Sequence, residues 1–154
     1  MRRKDRERDA AFALSVIDKC EYATLAFTDA AGLPYAVPLT IVRIGNGIYF
    51  HGARSGKKAE LLAASPRVCL SAVGDTNRLS TEFSTEYESA IVFGQVAEVT
   101  NESEKIAALY ALCERHTPGY LDHFESEVAR SLAVTGVWRI EIEEITGKCK
   151  KVHP

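Results

Sequence analysis

The sequence predicts an α+β domain, mainly β, in which six antiparallel strands form a small barrel with helices at its flanks. Three observations lead there. Short runs rich in β-branched and aromatic residues recur between turn signals, and segments of helical spacing interrupt them. The 154 residues suit one domain, from the first residue to the last, with a core of its own. A hydrophobic content of 46% with 26% charged residues is ordinary for a folded protein, which excludes a disordered chain.

Each element follows from local pattern. Residues 1–8, Met-Arg-Arg-Lys-Asp-Arg-Glu-Arg, form a basic arm that reads as solvated. From about Asp9 to Cys20, Phe12, Val16 and Ile17 recur at helical spacing. Tyr22 to Thr28 reads as a strand, Asp29-Ala30-Ala31-Gly32 as a turn, and Pro34 to Ile44 as a second strand. Gly45-Asn46-Gly47 then makes a tight hairpin onto Ile48 to Ala53, since Asn and Gly tolerate positive φ. A short helix over Gly56 to Ala64 stops at Ser65-Pro66, before a strand from Val68 to Val73.

Asp75 to Glu86 is polar and aperiodic, and reads as a long loop. Glu88 to Thr100 alternates as a long strand, with Gly94 suited to a bulge or to close approach of another backbone. Ser103 is placed to cap a helix carrying Ile106, Leu109, Tyr110 and Cys113. Another helix is expected from Pro118 to Leu132, and a last strand from Val134 to Ile145 alternates Trp138, Ile140 and Ile142 against charged neighbours.

Charge and cysteine usage exclude several classes of function. A net charge of -2 gives no electrostatic reason to bind nucleic acid, and no apolar stretch reaches the length of a membrane span or signal h-region. The expected location is the cytoplasm. Cys20, Cys69, Cys113 and Cys149 form no CxxC pair, so they read as reduced thiols and no metal site is expected. Pro118 and Gly119 separate His116 from His123, which argues against a helical metal pair.

The stretch Ile48 to Lys58 carries the chemistry. An apolar strand runs into Gly52, Ala53, Ser55 and Gly56, then into Lys57 and Lys58 where a helix begins. Small residues let the backbone approach an anion, a helix start offers unpaired N–H groups, and two ammonium groups add full charge. That is a phosphate cradle. Neither GxxxxGK[ST] nor GxGxxG occurs, so no nucleotide fingerprint accompanies it, and a solvated helix start is the plain alternative.

Pro34-Tyr35-Ala36-Val37-Pro38, Ile48-Tyr49-Phe50-His51-Gly52, Gly56-Lys57-Lys58, Pro66-Arg67-Val68 and Tyr87 to Gly94 follow one another in an order that resembles a known family. It is that of the FMN-binding split-barrel proteins related to pyridoxamine 5'-phosphate oxidase. The branch it looks most like is the nitroimidazole-resistance group, whose members share a basic opening like Met1 to Glu7. The resemblance runs from the first residue to about Thr100, and it implies a six-stranded split barrel, FMN as cofactor and a homodimer.

Residue by residue, the resemblance places Phe50, His51, Gly52 and Ala53 along the flavin, with Ser55, Lys57 and Lys58 on its phosphate. Val37, Pro38, Leu39 and Thr40 would run under the isoalloxazine, and Ser89 stands where the oxidase has a flavin-contacting polar residue. Arg54 either adds a cation or faces water. His51 carries the catalytic expectation, proton delivery or ring contact, with a satisfied barrel histidine as its alternative. Two departures limit the analogy. Ala36 and Ile41 stand where the oxidase has Arg and Lys, and the segment from Trp138 to Lys151 lacks the oxidase's basic, proline-containing pattern. Oxidation of pyridoxamine phosphate is therefore not expected.

The expected function is an oxidoreductase that passes electrons from a reduced nicotinamide or other donor to a small aromatic or nitro acceptor. The alternative is a non-catalytic flavin- or haem-binding module for storage or sensing, and a deazaflavin remains open as cofactor. No dinucleotide fingerprint names the donor.

Overall fold

Alternating apolar residues build one antiparallel sheet of eight strands among residues 2–152, which the computed structural model describes. The strands are β1 (Glu7–Arg8), β2 (Ala23–Thr28), β3 (Pro34–Leu39), β4 (Val42–Ile44), β5 (Gly47–Ala53), β6 (Arg67–Leu79), β7 (Ser84–Glu98) and β8 (Thr135–Lys150). Helices α1 (Ala10–Lys19), α2 (Lys57–Ala64), α3 (Glu102–His116) and α4 (Phe124–Ser131) lie between them. Met1, first residue of the basic arm, lies outside the described residues, as do His153 and Pro154.

The order across the sheet is β3-β2-β6-β7-β8-β5-β4, with β1 added beside β8. β3 and β4 are opposite ends of that order, yet only Thr40 and Ile41 join them along the chain. The sheet must therefore curl until its two ends nearly meet. This is a split barrel, mainly β with flanking helices, whose strand count is eight where six were expected. One extra strand arises because the run Pro34 to Ile44 breaks in the middle. Ile41 is fully buried, and its carbonyl accepts from Arg115 Nη1 at 2.9 Å and lies 2.9 Å from His116 Nε2, which turns the chain from one edge to the other. The other is β1, where Glu7 and Arg8 pair with Lys148 and Gly147 instead of trailing into water.

Three further expectations are corrected. Asp75 to Glu86 is not a loop but a hairpin arm, in which Thr76–Leu79 pairs with Ser84–Tyr87 beyond a bulge after Val73. Both faces of that arm are largely wet, so no apolar alternation marks it. The cap of α3 is Asn101, whose Oδ1 accepts from Glu104 N at 2.9 Å, and not Ser103. Pro118 opens a 3₁₀ segment (Pro118–His123) that turns into α4 at Phe124, so the second helix is shorter than Pro118 to Leu132.

Elsewhere the local chemistry explains the element. Asp9 caps α1, accepting from Phe12 N at 2.8 Å, and α1 buries Ala13, Val16 and Ile17. Gly45 has φ 60°, the left-handed first central position of a two-residue hairpin that leads into β5. Leu25, Ile48, Phe50, Leu70, Val92 and Ile140 fill the barrel with no exposure, and Leu62 from α2 packs with them. Tyr49 and Val137 point the other way, into a second cluster with Ala108 and Leu112 of α3. So β5 presents Phe50 inward and Tyr49 outward.

The long strand β7 crosses β8 at a register shift between Phe93 and Gly94. A Cβ at Gly94 would sit 2.1 Å from the Glu141 carbonyl oxygen, so the two backbones touch where no side chain fits. Gly94→Ala is expected to lower unfolding free energy by roughly 2–4 kcal/mol, from overpacking against backbone. Chemical denaturation measures it, and an unchanged midpoint would show that β8 yields at this point.

Candidate functional site

The site forms where β5 ends and α2 begins. Gly56 precedes the helix with φ 99°, a conformation that favours glycine, and it offers no capping side chain. The first N–H groups of α2 therefore lack a side-chain acceptor. Lys57 sends its ammonium over the Tyr35 ring of β3, 4.5 Å from the centroid. Lys58 sends its own over Trp138 and Phe50, at 5.2 and 5.5 Å. Those two rings stack with centroids 5.5 Å apart and planes 11° from parallel. Gly52 leaves the space for Lys58, since a Cβ there would lie 2.5 Å from Nζ.

The two lysines thus stand on the two sides of the barrel's seam, one against β3 and one against β5 and β8. Among the described residues neither forms an ion pair. Burial lowers the Lys58 pKa from its ordinary value, the expected result when an ammonium leaves water without a counter-anion. Aromatic faces offset part of that cost. An anion offsets more.

The remaining expected residues divide. Phe50 is wholly buried, stacked on Trp138 in the core, and offers no surface to a ligand. Val37 and Leu39 pack inward, while Pro38 and Thr40 are exposed. β3 pairs only with β2, which leaves backbone N–H and C=O groups along its other edge without a strand partner. Ser89 lies near the opposite end of the strands, paired with Val73 and Lys148. Five residues of strand separate its row from that of Gly94 at the α2 end, about 17 Å at roughly 3.3 Å per residue. One chain does not bring Ser89 to the lysines.

His51 and Ala53 are exposed, on the part of β5 that follows Phe50. His51 pairs with Val137 and shares its outward side. Although the side chain is exposed by area, enough protein surrounds the imidazole that burial, followed by positive charge at Lys58 and His116, lowers its pKa. Arg54 does not join the cradle: it is exposed to water and ion-paired. Its Nε donates to Glu98 at 3.1 Å and its Nη1 to the Ala133 carbonyl at 3.4 Å.

Sequence reasoning missed Tyr35 and Trp138 as the rings beneath the two ammonium groups. Trp138 alternates inward on β8 with Ile140, which identifies it as core; only the β5–β8 register, Phe50 opposite Trp138, reveals its second role. The surface carries several hollows. One of about 580 Å³ runs under α2 from Ser55 to Pro66, with Trp138 in its wall. Another of about 530 Å³ lies on the outer face of β2, β6 and β7, among Ala26, Thr28, Cys69 and Phe93. No described helix is long and apolar enough to cross a membrane.

A curled antiparallel sheet, with a pair of lysines at its seam that no carboxylate neutralises among the described residues, defines a split-barrel protein with a basic edge. The chain belongs to the pyridoxamine 5'-phosphate oxidase family, whose profile matches residues 9–149. Three solved structures share the fold. A protein assigned to 5-nitroimidazole antibiotic resistance in Bacteroides thetaiotaomicron VPI-5482 aligns with a TM-score of 0.75 and 23% identity, over 92% of this chain and 84% of that one. The flavocytochrome Anf3 of Azotobacter vinelandii gives 0.83 and 21%, over 100% and 73%. A FAD and haem binding protein of Mycobacterium smegmatis gives 0.81 and 24%, over 97% and 75%. No curated protein matches the chain.

Proposed function

We propose that the chain is an FMN-binding flavoprotein that passes electrons from a reduced nicotinamide or other external donor to a small aromatic or nitro acceptor. The observation that carries this is the pair of unpaired ammonium groups, Lys57 and Lys58, flanking the uncapped start of α2. A phosphate dianion matches two cations and several N–H donors. Bound there, FMN supplies the redox chemistry. Lys57, Lys58 and Ser55 hold the phosphate, and the free edge of β3 from Val37 to Thr40 orients the polar rim of the ring. Gly52 and Ala53 keep the approach narrow, and His51 holds or moves a proton at its imidazole nitrogen.

Purified protein is expected to take up one FMN per chain, seen as a flavin spectrum on reconstitution, and to oxidise NADH or NADPH when a nitroaromatic acceptor is supplied. Uptake without turnover would leave a carrier in place of an enzyme. A second reading, a haem-binding module, is supported by the names of two structural neighbours. A haem absorption band at one equivalent with no flavin uptake would replace the FMN reading.

The proposal includes a homodimer. The outer face of β2, β6 and β7 exposes Phe93 at 47%, beside the hollow next to Cys69, and Val73 at 51% further along the same face. Apolar area of this kind on a sheet face is normally covered. Covering it with a second copy also gives Ser89, on the same face, a route to the partner's flavin. Sedimentation of the holo-protein is expected to give twice the 16.9 kDa chain mass, and a monomer at tens of micromolar would remove the shared site.

A further inference from the structure

We propose that Arg6, Tyr87 and Lys148 form a carboxylate-binding site at the end of the sheet opposite the cradle, and that this site selects acceptors bearing an acid group. The site stands on its own geometry. Its assignment to the acceptor rests on the flavin reading, through the second copy.

Register brings the groups together. Lys148 of β8 lies directly opposite Ser89 of β7, and Lys150 opposite Tyr87, so with a period of two all four share one face. It is the outer face that also carries Val73, the partner of Ser89 on β6. All four are half-buried. The Lys148 ammonium lies 5.8 Å from the centroid of the Tyr87 ring. β1 pairs with β8 at Glu7 and Lys148, which sets Arg6, at the end of the 3₁₀ turn Lys4–Arg6, beside the same phenol.

The cluster is short of negative charge. Among the described residues Lys148 forms no ion pair. Glu7, its neighbour across the ladder, is held by Lys4 at 2.9 Å. Arg6 has Asp5 at 3.8 Å, but Asp5 already accepts from Arg3 at 2.8 and 2.5 Å. Burial acts to raise the Tyr87 pKa, yet hydrogen bonding and positive charge from Arg6 and Lys148 outweigh it, and the net shift is downward from 10.0. The phenol oxygen thus sits in surplus positive charge.

That set of donors matches one class of ligand. A free ammonium, a guanidinium partly engaged by Asp5 and a phenol O–H suit a carboxylate, which spreads a single charge over two accepting oxygens. A phosphate dianion calls for two free cations, and those stand at the cradle. Ser89 fixes the place in the assembly. On one chain it lies about 17 Å from the cradle row, whereas a second copy on the outer face brings it toward the partner's flavin. Lys148, with its Cβ roughly 5 Å from that of Ser89 across the ladder, travels with it. An acceptor stacked on that flavin with its acid group turned outward meets Lys148 and Tyr87.

Two measurements on the full-length protein test this, the first without flavin. Alkaline titration of tyrosine absorbance is expected to show an early ionisation step that Tyr87→Phe removes. Acetate, set against chloride at equal ionic strength, should move that step to higher pH, and Lys148→Met should raise it and make it insensitive to acetate. A step that acetate leaves unmoved would overturn the anion site. In the second, FMN-loaded protein is dialysed against para-nitrobenzoate or nitrobenzene. The benzoate is expected to bind about tenfold more tightly or better, and Lys148→Met to remove that preference while FMN affinity stays within about threefold. Equal binding of the two by the wild type would overturn the acceptor assignment. Tighter binding of para-nitrophenyl phosphate than of the benzoate would overturn the choice of carboxylate. Failure to load FMN would overturn the flavin reading, and the acetate titration would still decide the site.

Discussion

Lys58→Met is expected to raise the melting temperature of the ligand-free protein and, in the same variant, to weaken FMN tenfold to a hundredfold. The two effects share one cause. The ammonium is desolvated against Trp138 and Phe50 with no carboxylate beside it, so an apolar side chain of similar length relieves a cost to the fold. A charge-assisted hydrogen bond to phosphate is worth roughly 1.5–3 kcal/mol, and each 1.4 kcal/mol is about tenfold in affinity. Riboflavin, which lacks the phosphate, should lose little. Lys57→Ala is expected to weaken FMN to a similar degree. Equal losses for FMN and riboflavin would mean that the lysines act on the ring or the fold and not on the phosphate.

The lowered pKa of Lys58 gives the pH dependence its sign. In the free protein the group deprotonates below its ordinary value of 10.5, whereas the unfolded chain holds its proton up to that value. The unfolded state therefore binds more protons between the two, and stability rises with pH through that window. Phosphate reverses the preference, because an anion favours the charged form. FMN binding is then expected to take up a proton at alkaline pH, and affinity to fall as pH rises through the same window. Calorimetry in buffers of different ionisation enthalpy reads that proton directly. Lys58→Met should abolish the uptake.

Much of the barrel was legible because inward and outward residues differ in polarity. β2 buries Ala23, Leu25 and Phe27 in strict alternation, and β5 announces itself through the glycine turn before it. The hairpin arm was not legible for the complementary reason. Thr76 to Arg78 is wet on both faces, so nothing separates it from a loop except pairing with Thr85 to Tyr87. The break at Thr40 and Ile41 was hidden as well, because its cause lies in Arg115 and His116, more than seventy residues away.

The cradle shows the same division. Glycines and adjacent lysines mark an anion site by type and spacing, which the chain states outright. Which rings lie under the ammonium groups is a matter of register between distant strands. The expectation that Phe50 and His51 line one ligand conflicts with period two: neighbours on a strand face opposite ways, and Phe50 is taken by the core.

That division sharpens what to expect of His51. The sequence left open a satisfied histidine inside the barrel, but the side chain is exposed on the outward side of β5, without a hydrogen bond to another described residue. His51→Ala should therefore change unfolding free energy by no more than about 0.5 kcal/mol at neutral pH, the usual range for surface substitutions. Its pKa is lowered from 6.5 by burial first, then by Lys58 and His116, so the folded protein holds a neutral imidazole where the unfolded chain already gains a proton. The wild type is expected to lose stability as pH falls below about 6.5, and His51→Ala to flatten that loss. For function, a neutral imidazole near the cradle is suited to accept or relay a proton at pH 7. If it serves the acceptor, the substitution should leave FMN affinity within a few-fold and lower acceptor reduction by roughly 10², the scale of a positioned acid or base. Affinity, melting temperature and turnover measured on one preparation separate the outcomes: unchanged turnover would remove His51 from the chemistry, and a fall in flavin retention with stability would return it to the fold.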